Sequence, residues 1–245
     1  MSTSAEQTMP QFYTNVVPVS AERHSKYSLD RSENCSFAKD SKSVFLACSE
    51  FQKARQEYPI VFLGTEKQVM PAALLSLKDG ENHFIQDDGR WDARYIPAYV
   101  RRYPFIAANL EETGNMVLGV DEGCEGLNQD GKGERFYSDD GERTEYLNRV
   151  SAFMTNFHFE FTNTQQFCTR LVELGLLEPM AARVQVQGAN SLTLKGFYAV
   201  SYEKLKGLPE NKLGELMAND ELAFIFSHLH SLDRFVGLVE RARKR

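Results

Sequence analysis

The densest collection of versatile side chains in this 245-residue sequence lies between Trp91 and Phe105, in the run WDARYIPAYVRRYPF. It holds the sole tryptophan, three tyrosines (Tyr95, Tyr99, Tyr103) and three arginines (Arg94, Arg101, Arg102). Planar guanidinium forks bind carboxylates and phosphates bidentately, and aromatic faces accept sugars, rings and cations. With Pro97 opening a helical turn, Tyr95 and Tyr99 stand four apart and Tyr99 and Arg102 three apart, each pair on a shared face. Trp91, Tyr95, Tyr99, Arg101 and Arg102 are therefore candidate ligand-binding residues. The same residue types also lock domains together, arginines against buried acids and rings within the core. Adjacent residues cannot point the same way on a helix or a strand. One of Arg101 and Arg102 is therefore expected to be structural, and the other to stand at a cleft.

Other chemistries fare less well. His228 and His230 are two apart, so on one helix they face different ways and cannot chelate one ion. His228 stays as a sixth candidate ligand-binding residue, because a histidine meeting Arg101 or Arg102 in a closed pocket would favour catalysis. There is no HExxH, no GxSxG and no Ser/His/Asp ordering that stands out. Catalytic residues are thus unassigned. Cysteines at 35, 48, 124 and 168 form no CxxC pair, which suits reduced thiols better than a zinc site or a disulfide framework. No metal and no cofactor are expected. The run Gly126–Gly133 approaches a phosphate loop, but Gly133 replaces the hydroxyl that ligates Mg²⁺. As an EF-hand it offers Asn128, Asp130 and Gly133 at positions 1, 3 and 6, yet Lys132 at position 5.

Charge narrows the partners. The chain carries 28 basic and 34 acidic residues, a net −6, which argues against nucleic acid. Between Asp121 and Glu145, nine acids face three basic residues, a net charge equal to that of the whole chain. This stretch reads as an exposed, mobile acidic loop. Met1–Pro10 has neither a basic residue nor an apolar core, and so does not read as a secretory leader. The best apolar run, Leu222–Leu232, is short and holds two histidines, so no membrane insertion is expected. A soluble, cytoplasmic protein is the expectation, with self-association left open.

The elements that must position these residues change period along the chain. Residues 1–10 read as a mobile tail. Strand-like runs occupy Phe12–Val19, Ser43–Cys48, Ile60–Leu63, Ala72–Leu77, His83–Gln86 and Met116–Val120, with Asp79-Gly80 as a hairpin turn and Asp88-Gly89 as a second turn. Ser49 is expected to cap a helix over Glu50–Tyr58, stopped by Pro59. Apolar residues at helical spacing from Thr144 to Leu174 predict two helices broken at Thr162–Thr164, the second closed by Gly175. A hairpin at Val184–Val186 and Leu192–Val200 follows, then helices over Lys212–Ala218 and, capped by Asp220, Glu221–Arg243. The expected fold is α+β, a single domain over residues 11–245, with a β-rich N-terminal half (mixed or antiparallel sheet) packed with a helix-rich C-terminal half.

Tyr58–Phe62, Gly89-Arg90-Trp91, Tyr95–Ala98, Arg101–Phe105, Gly196-Phe197 and His228–Leu232 together give the chain a specific likeness. Over about residues 12 to 240 it resembles the SapC-like family of bacterial proteins, named for a proposed role in surface-layer protein secretion. The resemblance implies no established catalytic residue or cofactor. It implies a cytoplasmic accessory or binding protein that engages a protein or peptide client, in the context of surface-protein export. The alternative is an enzyme acting on a small anionic, peptidic or saccharide substrate at an Arg/aromatic cleft.

Overall fold

In the computed structural model, which describes residues 9–31, 34–109, 116–184 and 192–244, short strands dominate the first half of the chain and helices the second. The expected tail falls almost wholly outside the described residues, as does the end of the strand expected at Val184–Val186. In chain order the first half comprises β1 (Val16–Pro18), α1 (Ala21–His24), β2 (Ser28–Leu29), β3 (Ser43–Phe45), α2 (Phe51–Ala54), β4 (Ile60–Thr65), β5 (Gln68–Leu74), α3 (Ala98–Arg101), β6 (Phe105–Asn109) and β7 (Met116–Asp121). There follow β8 (Leu127–Asn128), β9 (Glu134–Arg135), α4 (Glu145–Glu173), β10 (Leu177–Val184), β11 (Leu192–Val200), α5 (Tyr202–Lys206), α6 (Glu210–Ala218), α7 (Glu221–Ser231) and α8 (Arg234–Arg243). Among the described residues the strands form three antiparallel sheets, β1-β7-β6, β8-β2-β9 and β10-β11-β4-β5-β3. The fold is α+β, and its sheets are antiparallel.

Four local expectations are corrected. Ser49 caps nothing; it lies in a 3₁₀ turn (Cys48–Glu50), where the Glu50 carboxylate accepts from Ala47 N at 2.9 Å. The β4–β5 hairpin turns at Glu66-Lys67, with Thr65 opposite Gln68. The Asp79-Gly80 segment is a loop in which Ser76 Oγ and Asn82 Oδ1 take the Lys78 and Phe84 amides. The helix over 145–173 is not broken at Thr162–Thr164, because Thr164 Oγ1 donates back to Glu160 O at 2.7 Å and accepts from Cys48 N at 3.0 Å. A hydroxyl satisfied in this way no longer draws the backbone out of the helix. Asp220 has left-handed backbone (φ 61°) without a side-chain cap, and the following helix is interrupted after Ser231. Gly175, at φ 64°, does follow the end of α4 as expected.

Two compact units are distinguished by their internal contacts. The first comprises residues up to Asn34 and Arg102–His158. Phe105, Val120, Phe136, Tyr146, Leu147 and Met154 are at the centre of its core. Its acidic segment is exposed as expected at Glu125, Asp130, Glu134, Asp139 and Asp140, but it is anchored at several points. Asp121 ends β7 fully buried, accepting from Thr14 N (2.9 Å), Asn15 N (2.8 Å) and Gly123 N (3.0 Å). Glu122 takes both Arg23 Nε and Nη2 at 2.6 Å. Phe136 and Tyr137 anchor the later part in the core, and β8 and β9 both pair with β2. Asn128 is used internally, its Oδ1 accepting from the Asp130 and Lys132 amides at 3.1 Å. Among the described residues, no group of three or more His, Cys, Asp or Glu could hold a metal ion.

The second unit comprises Cys35–Arg101 and Phe159–Arg245. Phe51, Tyr58, Phe62, Phe84 and Phe197 are fully buried here. β11 carries one extra residue opposite the Met180–Ala182 step of β10, a bulge that Gly196 accommodates at φ 86°. The apolar run at the C-terminus extends further than its charged residues suggest. Helical residues Glu221–Arg243 contain an 18-residue window of mean hydropathy 1.2, long and apolar enough by length and composition to cross a membrane. Within it, Ser231 Oγ accepts from Ile60 N at 2.9 Å, and α7 packs on β4 and β11.

Candidate functional site

Five of the six candidates lie in the second unit, and three of them, Trp91, Tyr95 and Arg101, surround the buried Glu50 carboxylate and Tyr58 hydroxyl. Glu50 is buried; its Oε1 accepts from Tyr95 OH at 2.6 Å and Ala98 N at 2.7 Å, and its Oε2 from Ala47 N. Burial pushes the Glu50 carboxyl up, against the pull of these three donors and of nearby Arg101. Trp91 Nε1 donates to Tyr58 OH at 2.7 Å, and Tyr58 OH in turn donates to Tyr95 O. Arg101 is exposed, with Nε on Ile96 O at 2.9 Å and its guanidinium 6.0 Å from the Tyr95 ring centroid. The structure thus joins Trp91, Tyr95 and Arg101 through Glu50 and Tyr58, two residues the spacing argument did not single out. Tyr99 packs edge-on to Phe45, ring centroids 6.3 Å apart.

Arg102 belongs to the first unit. It is buried, its guanidinium 4.9 Å from the Phe157 centroid and 5.4 Å from that of Tyr13. The adjacent arginines therefore face different surroundings. Arg102→Ala is expected to cost about 2–4 kcal/mol through lost packing and cation–π contact. Arg101→Ala should cost less than about 1 kcal/mol, as for exposed charges generally. Urea unfolding of the two variants side by side checks this; equal losses would contradict the assignment.

His228 is structural in its contacts. Register places Tyr198 opposite Phe62, and continuing it would set Val200 opposite Ile60. The imidazole occupies that step of the ladder. Its Nε2 accepts from Val200 N at 3.1 Å, so the proton is on Nδ1, which donates to Ile60 O at 2.9 Å. Burial lowers its pKa to about 4. The four cysteines are free; burial pushes the Cys168 thiol up to about 12 and Cys48 well above its ordinary value. Neither is set up as a thiolate.

An open pocket of about 510 Å³ lies elsewhere in the same unit. The turn following Phe84 supplies Gln86, Asp87 and Asp88, flanked by His83 and Asp92, and the C-terminal end of α8 supplies Arg241 and Lys244. Arg241 is clamped: Nη1 donates to Asp92 Oδ2 at 2.5 Å, Nη2 to Asp92 O at 2.8 Å, and the guanidinium lies 4.2 Å from the Phe84 centroid. Asp88 pairs with Arg90 at 2.7 Å. Of these residues only Asp92 falls in the arginine–aromatic run. Its partner Arg241 is 149 positions away, so spacing carries no signal for the pair.

The described residues thus form an antiparallel α+β fold with an open pocket of mixed charge. The chain belongs to the SapC family, whose model matches residues 19–238. No curated protein and no solved structure matches it.

Proposed function

We propose that this SapC-family chain is a soluble, cytoplasmic accessory protein that engages a protein or peptide client, in the context of surface-protein export. The observation that carries the reading is the pocket, open to solvent and lined by side chains of both charge signs. Such a surface suits recognition of a polar chain segment, whereas small-substrate sites are enclosed and mostly apolar. The arginine–aromatic residues support the same reading from the other side. Trp91, Tyr58, Tyr95 and Glu50 spend side-chain polar atoms on each other and on backbone, and neither Arg101 nor Arg102 lines this pocket.

The test is site-specific photo-crosslinking in the native host, with the photoreactive side chain at Gln86 and, as control, at exposed Lys67 outside the lining. A defined protein captured from Gln86 and not from Lys67 is the expected result. Equal capture at both positions, or a pocket that retains only a small metabolite by mass spectrometry, would overturn the client reading.

A further inference from the structure

We infer that the Arg241 pocket takes the C-terminal end of a peptide, its carboxylate on Arg241 and Lys244 and a basic side chain near that end on Asp87. The inference rests on the client reading and narrows it to one recognition chemistry.

Arg241 carries the argument. Asp92 occupies the end of its fork, with Nη1 on the carboxylate and Nη2 on the carbonyl, and Nη1 also reaches His83 O at 3.4 Å. The Nε–H and the second Nη2–H of the guanidinium are taken by no acceptor among the described residues. Two parallel N–H groups on a planar frame match the two oxygens of one carboxylate. Stacking on Phe84 and the Asp92 clamp already fix the fork, so little side-chain freedom remains to be lost on binding. Lys244, three residues on from Arg241, lines the same space and adds a second positive charge.

The opposite wall selects what else the ligand carries. Asp88 is engaged by Arg90, and Asp92 by Arg241, which leaves Asp87 as the lining carboxylate with no partner among the described residues. A compact dianion such as phosphate would meet three aspartates in the lining, and a simple cation would meet Arg241 and Lys244. A molecule with a carboxylate and a cation held apart satisfies both walls, and a peptide terminus with an adjacent lysine or arginine is such a molecule.

Calorimetric titration of the full chain with Ala-Lys-Ala, its C-terminal amide, Ala-Glu-Ala and sodium phosphate tests the inference. The free acid is expected to bind at least about tenfold more tightly than the amide and than Ala-Glu-Ala. Arg241→Lys keeps the charge but not the fork, and should erase the acid-over-amide preference. Asp87→Asn, at an exposed position with no partner among the described residues, should keep that preference and lose the one for lysine over glutamate. Equal affinity for acid and amide, displacement of the peptide by equimolar phosphate, or no heat with any peptide would overturn the inference. A client captured at Gln86 with no acid-over-amide preference would remove this inference and leave the client reading. Peptide binding without a captured client would do the reverse.

Discussion

Replacing Glu50 with alanine is expected to cost on the order of 3–5 kcal/mol, because three donors lose their acceptor at once inside the second unit. Tyr95 OH, Ala98 N and Ala47 N all converge on this one carboxylate. Without it, Ala98 N–H and Ala47 N–H are left buried with no acceptor, and the Tyr95 ring loses the bond that orients it. The effect should propagate to Trp91, since its indole N–H is held by Tyr58 OH, which donates to Tyr95 O. The sole tryptophan is therefore a built-in reporter. Its emission should shift to the red in folded Glu50→Ala, and the urea midpoint read at the same wavelength should fall. Glu50→Gln separates charge from bonding. Its carbonyl oxygen still serves Tyr95 and Ala98, but its amide N–H₂ meets the Ala47 N–H, so about 1–2 kcal/mol is the expected loss. A Glu50→Ala variant within about 1 kcal/mol of the parent and with unchanged emission would show that this carboxylate does not hold the block.

The contrast between Glu50 and Ser49 shows which parts of the fold were legible in the sequence. Apolar periodicity located β4, β7, α6, the two ends of α4 and the start of α7 to within a few residues, because it records which face each element buries. Two of the boundaries that failed were set by partners distant in sequence. Ser49 is a good capping residue, but the adjacent glutamate had already taken the Ala47 amide and was itself fixed by Tyr95 and Ala98, 45 and 48 positions away. Thr164 resembles a helix breaker until Cys48 N, 116 positions away, is seen on its hydroxyl. The acidic count over 121–145 gave the right charge and the wrong environment for Asp121. Its donors, at Thr14 and Asn15, lie more than 100 residues upstream.

The candidate site was legible only in part, for the same reason. Residue type singled out the arginine–aromatic run, whose Trp91, Tyr95 and Arg101 do share one bonded cluster. Spacing could not show that the polar atoms of Trp91 and Tyr95 turn inward. Nor could it find Arg241, since a guanidinium near a C-terminus looks like any solvated charge until Phe84 and Asp92 are placed beneath it. The one hint was composition: Asp87, Asp88 and Asp92 within six residues, around the Asp88-Gly89 turn.

Acidification should destabilise the second unit through His228, by about 3 kcal/mol between pH 6.5 and pH 4. Folded, the imidazole must be neutral, because Nε2 accepts from Val200 N while Nδ1–H donates to Ile60 O. Its pKa is therefore lowered from 6.5 to about 4, with burial as the cause. Between those values the unfolded chain binds a proton that the folded one does not, so stability falls as pH falls. Above pH 6.5 the contribution is fully present, and below about pH 4 no more is lost. A shift of this size, at about 1.4 kcal/mol per unit, gives the figure stated. Other groups titrate nearby: burial raises Glu50, which works in the opposite sense, and lowers His24. The measurement is therefore the difference between the parent and His228→Gln, whose amide can bridge the same strands without titrating. At pH 7.5 the variant should be less stable by about 1–3 kcal/mol, the cost of a poorer fit at a buried bridge. That gap should shrink by about 3 kcal/mol by pH 4 and close or reverse. Urea unfolding followed by Trp91 emission at pH 7.5, 6, 5 and 4 reads it directly. A gap that stays constant with pH would mean the imidazole titrates normally in the folded protein, and is then free to act on a ligand; a closing gap commits both of its nitrogens to the sheet.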